Sequence, residues 1–307
     1  MVKPPFELRQ RRDFGQLISG SFALMRQHGR PLYRAIAVSC LPLLLFGAYL
    51  IGGGFGQMLG ARTQDPFTST GDRFAYGGIM IGVAYLLFAL LIVFLHALVH
   101  EFLRAHDRGE GSSATTSFLV KRALGRLFHY LGILILLGLM AGGAAVVFVL
   151  LILLEEPVLS VVAVLGMLAA VLAVTTYASL ASAAQAVERA GVTTAMHRSF
   201  MLVRGDFWPT LGVSMVMGLI VGAIGYIVQI LGVVVMMLLM FLGASGDPEA
   251  MNSVMPMVMS VFFGLQFGVM LFTYPLPCAC MVLKFCSRVE ETEGHGLRSR
   301  IEAFDAI

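Results

Sequence analysis

The chain has 307 residues, of which 58% are hydrophobic and only 13% are charged, and its mean hydropathy is +0.86. Soluble domains carry about 25% charged residues, so this chain has too little polar surface for water to cover it. The composition indicates an integral membrane protein. The same composition excludes a soluble enzyme, a nucleic-acid-binding domain and a disordered tail. The net charge of +3 is small and requires no nucleic-acid partner.

Six apolar stretches are long enough to cross the hydrocarbon core of a bilayer, which takes about 20 helical residues. In chain order they are Leu32–Phe55, Phe74–Leu103, Leu127–Leu154, Val158–Ala186, Phe207–Leu242 and Val254–Lys284. The stretches are continuously apolar, whereas the strands of a membrane barrel alternate between apolar and polar residues. The sequence therefore predicts an all-α membrane protein with six transmembrane helices.

The basic residues fall almost entirely in alternate connections between these spans. Of the 21 Lys and Arg residues, seven lie up to Arg34, five between the second and third spans, three between the fourth and fifth, and four from Lys284 onward. The other connections hold only Arg62 and Arg73. By the positive-inside rule both termini are cytoplasmic, and we expect a multi-pass protein of the cytoplasmic (inner) membrane.

The dipeptide Ser-Phe occurs three times, each time before an odd-numbered span, and a base follows five residues after each serine. The motifs are Ser21-Phe22 with Arg26, Ser117-Phe118 with Arg122, and Ser199-Phe200 with Arg204. We interpret them as three repeated units, each an amphipathic interfacial helix followed by a helical hairpin. The chain then has three parts: a cytoplasmic N-terminal amphipathic segment (1–31), a six-helix transmembrane domain with an internal threefold repeat (32–286) and a cytoplasmic C-terminal tail (287–307).

The first interfacial helix has the pattern of a helix that lies in the headgroup plane. Asp13 can cap it, and apolar residues recur along one side: Phe14, Leu17, Ile18, Phe22 and Met25. Such a helix places its rings at the acyl boundary and its bases near anionic phosphates. The three helices either serve only to set the angle of each span or form a surface for anionic lipid or a protein partner. The surface residues, which we call the collar, are Phe22, Arg26, Phe118, Arg122, Phe200 and Arg204.

Small residues recur at four-residue spacing within the predicted spans, which lets helix backbones approach closely. The sets are Gly52, Gly56 and Gly60; Gly78 and Gly82; Gly138 and Gly142; Gly218 and Gly222; and Gly264 and Gly268. Packing within the chain is the default interpretation, and a homodimer face is the alternative.

His96 and His100 form the one pattern in the sequence that resembles a metal or haem site. They lie one helical turn apart near the end of the second span, where two imidazoles can reach one ion. Interfacial histidines that bond to headgroups or to neighbouring residues can have the same spacing. We prefer this interpretation and therefore expect no metal and no cofactor. Cys278 and Cys280 fall on opposed sides of a helix, which is weak evidence for a shared ion.

The segment from Tyr274 to Pro277 reads Tyr-Pro-Leu-Pro and predicts a kink near the end of the last span. Such a kink either opens a cavity or fits a neighbouring helix. All acids are expected in loops, tails or span ends, and the deep polar residues are neutral: Thr175, Thr176, Gln229 and Gln266. Groups of this kind more often link helices than bind a substrate. A candidate cavity involves Gln266, Pro275 and Pro277.

The three Ser-Phe motifs and six spans, together with the C-terminal runs Phe285-Cys-Ser-Arg288, Glu293-Gly294-His-Gly-Leu297 and Arg300-Ile301-Glu302, resemble bacterial six-span inner-membrane proteins. The chain is similar to the membrane domain that precedes some glycerophosphodiester phosphodiesterases and to YciC-like proteins. The resemblance implies a bacterial inner-membrane protein, often an accessory one. In the fused enzymes the activity belongs to a separate soluble domain, so no catalytic residue is carried over to this chain.

Three functions follow as hypotheses. The first is a non-enzymatic accessory or scaffold protein that presents the collar to a protein partner or to anionic membrane lipid. The second is a transporter or lipid-handling protein with a cavity among the helical hairpins. The third is a metal- or haem-binding membrane subunit that uses His96 and His100. The sequence does not determine the oligomeric state.

Overall fold

The computed structural model describes residues 6–60, 70–110, 115–152, 157–244 and 248–294. Within these ranges the chain forms helices and no strand. Six helical stretches are long and apolar enough to cross a membrane: Leu41–Met58, Gly71–Asp107, Leu127–Val149, Val161–Glu188, Phe207–Leu238 and Val254–Glu293. The prediction of an all-helical chain with six spans is confirmed. The C-terminal runs beyond Gly294 lie outside the described residues.

Eleven helices make up the described part of the chain. They are α1 (Phe14–His28), α2 (Arg30–Ser39), α3 (Leu41–Gly60), α4 (Thr70–Asp107), α5 (Thr116–Gly125), α6 (Leu127–Ile152), α7 (Pro157–Glu188), α8 (Val192–Val203), α9 (Phe207–Ala244), α10 (Pro248–Thr273) and α11 (Pro275–Glu293). The short helices α1, α5 and α8 carry the Ser-Phe motifs. The predicted cap of α1 is confirmed as a capping box, in which the Asp13 side chain accepts from the Gln16 backbone and the Gln16 side chain accepts from the Asp13 backbone.

Two predicted spans are each divided by a short break. The stretch predicted as one helix from Leu32 to Phe55 divides at Cys40 into α2 and α3, and Pro42 lies in the first turn of α3, where its missing N–H costs nothing. The last span divides at Tyr274, because Pro275 begins α11 and has no N–H for the preceding helix. Tyr274 still donates to the Met270 carbonyl at 2.9 Å. The predicted kink is therefore confirmed as a break of one residue.

The chain divides into two compact units. Unit 1 comprises Met1–Leu32, His96–Gly218 and Pro275–Ile307, and unit 2 comprises Tyr33–Leu95 and Leu219–Tyr274. Unit 1 thus contains the three Ser-Phe helices, and unit 2 contains α3 and α10. The sequence-based boundaries after residues 31 and 286 stay a prediction.

In unit 2, α3 and α10 pack against each other through glycines. A Cβ on Gly52 would overlap the Ser260 hydroxyl and the Pro256 carbonyl oxygen, and one on Gly56 would lie 2.7 Å from Pro256 Cγ. The close approach predicted at these two glycines is confirmed. At several other glycines of the four-residue spacing, an added Cβ would have no described heavy atom within 4 Å. These are Gly82, Gly138, Gly142, Gly218, Gly222 and Gly268.

In unit 1, α11 is enclosed by other helices. It packs against α1 and α7, and every residue from Ala279 to Ser287 is buried. The face of α1 turned inward is Leu17, Ser21, Leu24 and Met25. Phe14 and Phe22 are exposed, so the apolar stripe predicted for α1 divides into a side that packs on protein and a side that presents aromatic rings outward.

Candidate functional site

Unit 1 contains a buried carboxylate surrounded by arginines. Oε1 of Glu101 in α4 lies 3.4 Å from Nη1 of both Arg104 and Arg126, and its Oε2 lies 3.4 Å from Nε of Arg122. The Tyr130 hydroxyl donates to Oε1 at 3.1 Å. The Glu101 side chain is fully buried. We call these five residues the arginine cluster.

The arginine cluster follows from helix spacing. Glu101 and Arg104 are three residues apart on α4 and therefore share one face of the helix. Arg122 and Arg126 are four residues apart where α5 ends, since Arg126 is its C-cap residue. The short α5 thus directs two guanidinium groups toward one carboxylate.

The cluster has more positive charges than negative ones. Three guanidinium groups face Glu101. Among the described residues, the only other acid that pairs with these groups is Glu110, 2.8 Å from Arg122. The Arg104 side chain is 1% exposed, and its Nε and Nη2 have no hydrogen-bond partner in the described part of the chain. Because buried charge is costly unless it is paired, the stability of this region depends strongly on Glu101.

Glu101 lies at a span end, as expected, two residues before Leu103, but it is buried in protein rather than exposed. Glu101 is followed by six more residues of α4 and is enclosed by protein. Sequence reasoning missed this because hydropathy places Glu101 near the end of an apolar stretch. The sequence does contain a signal for this cluster. Arg122 and Arg126, at helical spacing, lie in the connection that directly follows Glu101 and Arg104.

The collar residues differ in exposure. Five of the six are exposed: Phe22, Arg26, Phe118, Phe200 and Arg204. The Arg122 side chain is only 21% exposed, and its guanidinium lies 4.9 Å from the centre of the Phe118 ring while it pairs with Glu101 and Glu110. The Arg122 charge is therefore already paired within the protein, and its role at a lipid or partner surface stays a prediction.

Two of the three Ser-Phe serines are buried, and one of them bonds to a neighbouring helix. Ser199 of α8 is buried and its hydroxyl donates to the Tyr177 carbonyl of α7 at 2.6 Å. Ser21 of α1 is buried as well, with its hydroxyl donating to Ile18 of the same helix at 2.7 Å. Ser117 is exposed. In α1 and α8 the serine therefore faces inward while the next residue, a phenylalanine, faces outward.

Other bases of unit 1 are neutralised by ion pairs within the protein. Lys284 Nζ lies 2.6 Å from Asp206 Oδ2, which also accepts a hydrogen bond from Thr210 at 2.9 Å. Arg9 binds Asp107 through two hydrogen bonds of 2.9 and 3.1 Å, and these bonds raise the pKa of Arg9 above its ordinary value. The exposed bases without an ion pair in the described ranges include Arg26, Arg30, Arg34, Lys121, Arg189 and Arg204.

The two histidines singled out from the sequence lie inside the protein. His96 is 5% exposed and His100 is 2% exposed, and their ring centres are 4.1 Å apart. The Tyr130 ring lies beside both, 5.7 and 5.6 Å away. Of the two alternatives expected for these histidines, headgroups or neighbouring residues, the structure shows the second: His100 bonds to the His96 backbone, and both rings are buried in unit 1.

Unit 2 has a pocket at one of the predicted cavity residues. Gln266 lines an open pocket of about 410 Å³ together with Gln229 and Thr273. Gln266 Oε1 is buried and has no hydrogen-bond partner among the described residues. The predicted kink residues are not part of this pocket: Pro275 is buried and Pro277 is half-buried in α11.

Among the described residues, the hydroxyls of the two predicted threonines bond within their own helix. The Thr175 hydroxyl donates to the Val171 carbonyl at 2.8 Å, and the Thr176 hydroxyl donates to the Leu172 carbonyl at 2.7 Å. Both acceptors belong to α7 itself, a pattern in which the hydroxyl satisfies its own helix.

Comparison of the chain with protein-family models, with curated proteins and with solved structures finds no match. The resemblance to phosphodiesterase membrane domains therefore stays a prediction.

Proposed function

We propose that the protein is a non-enzymatic accessory protein of the bacterial cytoplasmic membrane whose collar binds anionic lipid. In this proposal both termini are cytoplasmic, and α1, α5 and α8 are the interfacial helices of three repeated units. A protein partner that docks on the same collar is the outcome that the experiment below separates from lipid.

One observation carries this proposal. Each short helix of unit 1 presents an exposed phenylalanine, and two of the three also present an exposed arginine one turn later. An aromatic ring is stable at the boundary between headgroups and acyl chains. A base near an anionic membrane surface contributes about 1 kcal/mol of attraction. Phe22 with Arg26, and Phe200 with Arg204, therefore combine the two contributions one helical turn apart.

The ion pairs of unit 1 support the same conclusion. Acids such as Asp107 and Asp206 are engaged by bases inside the protein, whereas Arg26 and Arg204 have no acid bound to them in the described ranges. The unneutralised positive charge lies at the exposed ends of the short helices, where a phosphate can approach.

Lipid retention tests the proposal directly. The double variant Arg26→Gln/Arg204→Gln should bind anionic lipid about 30-fold more weakly than the unmodified chain, because two bases contribute about 2 kcal/mol. Binding is measured by native mass spectrometry of the protein in mild detergent with added phosphatidylglycerol. The control is Arg11→Gln. Arg11 is also exposed but lies 3.6 Å from Glu291, so its loss should change lipid binding little.

Two outcomes would contradict the lipid proposal. In the first, lipid retention is equal in all variants and a protein copurifies only with the unmodified chain. In the second, retention depends on the groove of about 700 Å³ in unit 2, whose lining is almost wholly apolar and includes Leu44, Ala48 and Gly268. That volume is in the about 300–1,000 Å³ range of ligand sites. If Gly268→Phe abolishes lipid retention and the collar variant does not, the protein is a lipid-handling one.

The orientation can be tested by reporter fusions. A fluorescent protein fused after Gly125 should fluoresce, since the positive-inside rule places this connection in the cytoplasm. Alkaline phosphatase fused after Gly71 should be active, because that connection is placed outside. The reverse pattern would put the collar on the outer side and would remove the cytoplasmic role proposed for it.

A further inference from the structure

A thiol lies beside the two buried histidines. One ligand atom from each of His96, His100 and Cys278 lies within 4.8 Å of the other two. Cys278 is in the first turn of α11, directly after Pro277, while the histidines are on α4. All three residues belong to unit 1. Two soft or borderline ligand types therefore meet at one point inside the protein.

The imidazole of His100 is oriented for binding by its own helix. Its Nδ1 lies 2.8 Å from the His96 carbonyl oxygen and so donates its proton there. The lone pair is then on Nε2, and metal-ligating histidines usually have their second nitrogen held in this way. Ligands that share an ion with bonds of about 2.0–2.3 Å are at most about 4.5 Å apart, so small side-chain rotations bring the three atoms to bonding distance.

The charge around the site selects the kind of ion. Thiolate ligands favour Cu(I) or zinc, and imidazole accepts either. With one thiolate, Cu(I) gives a site of zero net charge, whereas Zn²⁺ leaves one positive charge. The arginine cluster lies next to the site, since Glu101 follows His100 and Arg104 is one turn further along α4. Burying another positive charge beside unpaired guanidinium nitrogens is costly, and a structural zinc site also takes four protein ligands.

We propose that His96, His100 and Cys278 bind one Cu(I) ion. Binding exchanges the thiol proton of Cys278 for copper, so that a sulfur–copper bond forms, one proton leaves to water and no electron is transferred. Cys278 is half-buried while the histidines are buried, so the ion reaches the thiol first. This site is independent of the lipid-binding function proposed for the collar.

A competition titration tests the proposal on the full chain, purified anaerobically with a tag that contains no histidine. The chain should take one Cu(I) per molecule from a chromophoric Cu(I) chelator. Cys278→Ser and His100→Gln should each weaken binding by more than about 100-fold, because loss of a second-shell partner alone typically costs 10–100-fold. The matched control is Cys280→Ser, a buried thiol two residues further along α11 and on its other side, which should leave the affinity unchanged.

X-ray absorption of the unmodified, copper-loaded chain gives a result that does not depend on any variant folding correctly. We expect one sulfur and two nitrogen neighbours around copper. The proposal is overturned if the unmodified chain fails to compete with the chelator, if Cys280→Ser weakens binding as much as Cys278→Ser, or if the chain binds Zn²⁺ but not Cu(I).

Discussion

Glu101→Gln should lower the free energy of unfolding by about 3–5 kcal/mol, although the two side chains have nearly the same shape. The substitution removes the negative charge that Arg104, Arg122 and Arg126 share, and Arg104 is too deeply buried to be solvated by water. Unfolding of the detergent-solubilised protein, followed by circular dichroism against temperature or denaturant, measures the loss.

A surface acid provides the control for this prediction. Glu188→Gln removes a carboxylate that lies 3.0 Å from Arg198, but Arg198 also pairs with Glu293, and such pairs contribute up to about 1 kcal/mol. Adding Arg104→Met to Glu101→Gln should restore part of the lost stability, because the buried unpaired charge is then gone. Equal stability of the Glu101→Gln and Glu188→Gln variants would show that the arginine cluster is not a major source of stability.

The second large effect is expected at the contact between α3 and α10. Gly52→Ala should destabilise unit 2 by about 1–3 kcal/mol, because the new methyl group would overlap a backbone carbonyl oxygen that cannot rotate away. Gly52→Val should cost more, since a branched side chain forces the two helices further apart. Protease sensitivity and thermal unfolding in detergent both report on this packing.

The matched control is Gly82→Ala, at a glycine with no described heavy atom within 4 Å of the added Cβ. This change replaces a poor helix former with the best one, so it should be neutral or stabilising by up to about 1 kcal/mol. If Gly52→Ala behaved like Gly82→Ala, the two helices would not require a glycine at their contact.

The spans, the capped start of α1 and the break at Pro275 were all predictable from the sequence because each follows from local pattern. Hydropathy over about 20 residues determines a span, an Asp followed three residues later by Gln forms a capping box, and proline removes an N–H. Hydropathy does not predict the break at Cys40, because an apolar stretch of sufficient length masks an interruption of one residue near Pro42.

The candidate sites were less predictable because they join residues that are distant in the sequence. Periodicity indicates which residues share a face of one helix, and it correctly paired His96 with His100. It does not indicate which helix that face meets, so it gives no reason to group Cys278, on another helix, with these histidines. For the same reason the sequence pattern groups Arg122 with Arg26 and Arg204, although its partner Glu101 is on another helix.

The length of α4 has a consequence for its charged end. Its 38 residues extend about 57 Å at 1.5 Å per residue, whereas the hydrocarbon layer is about 30 Å thick. A crossing that starts at Phe74, just after Asp72 and Arg73, is complete after about 20 residues, before His96. The charges of Glu101 and Arg104 then lie beyond the region across which the transmembrane voltage falls. A change in that voltage would therefore do little electrical work on these two charges.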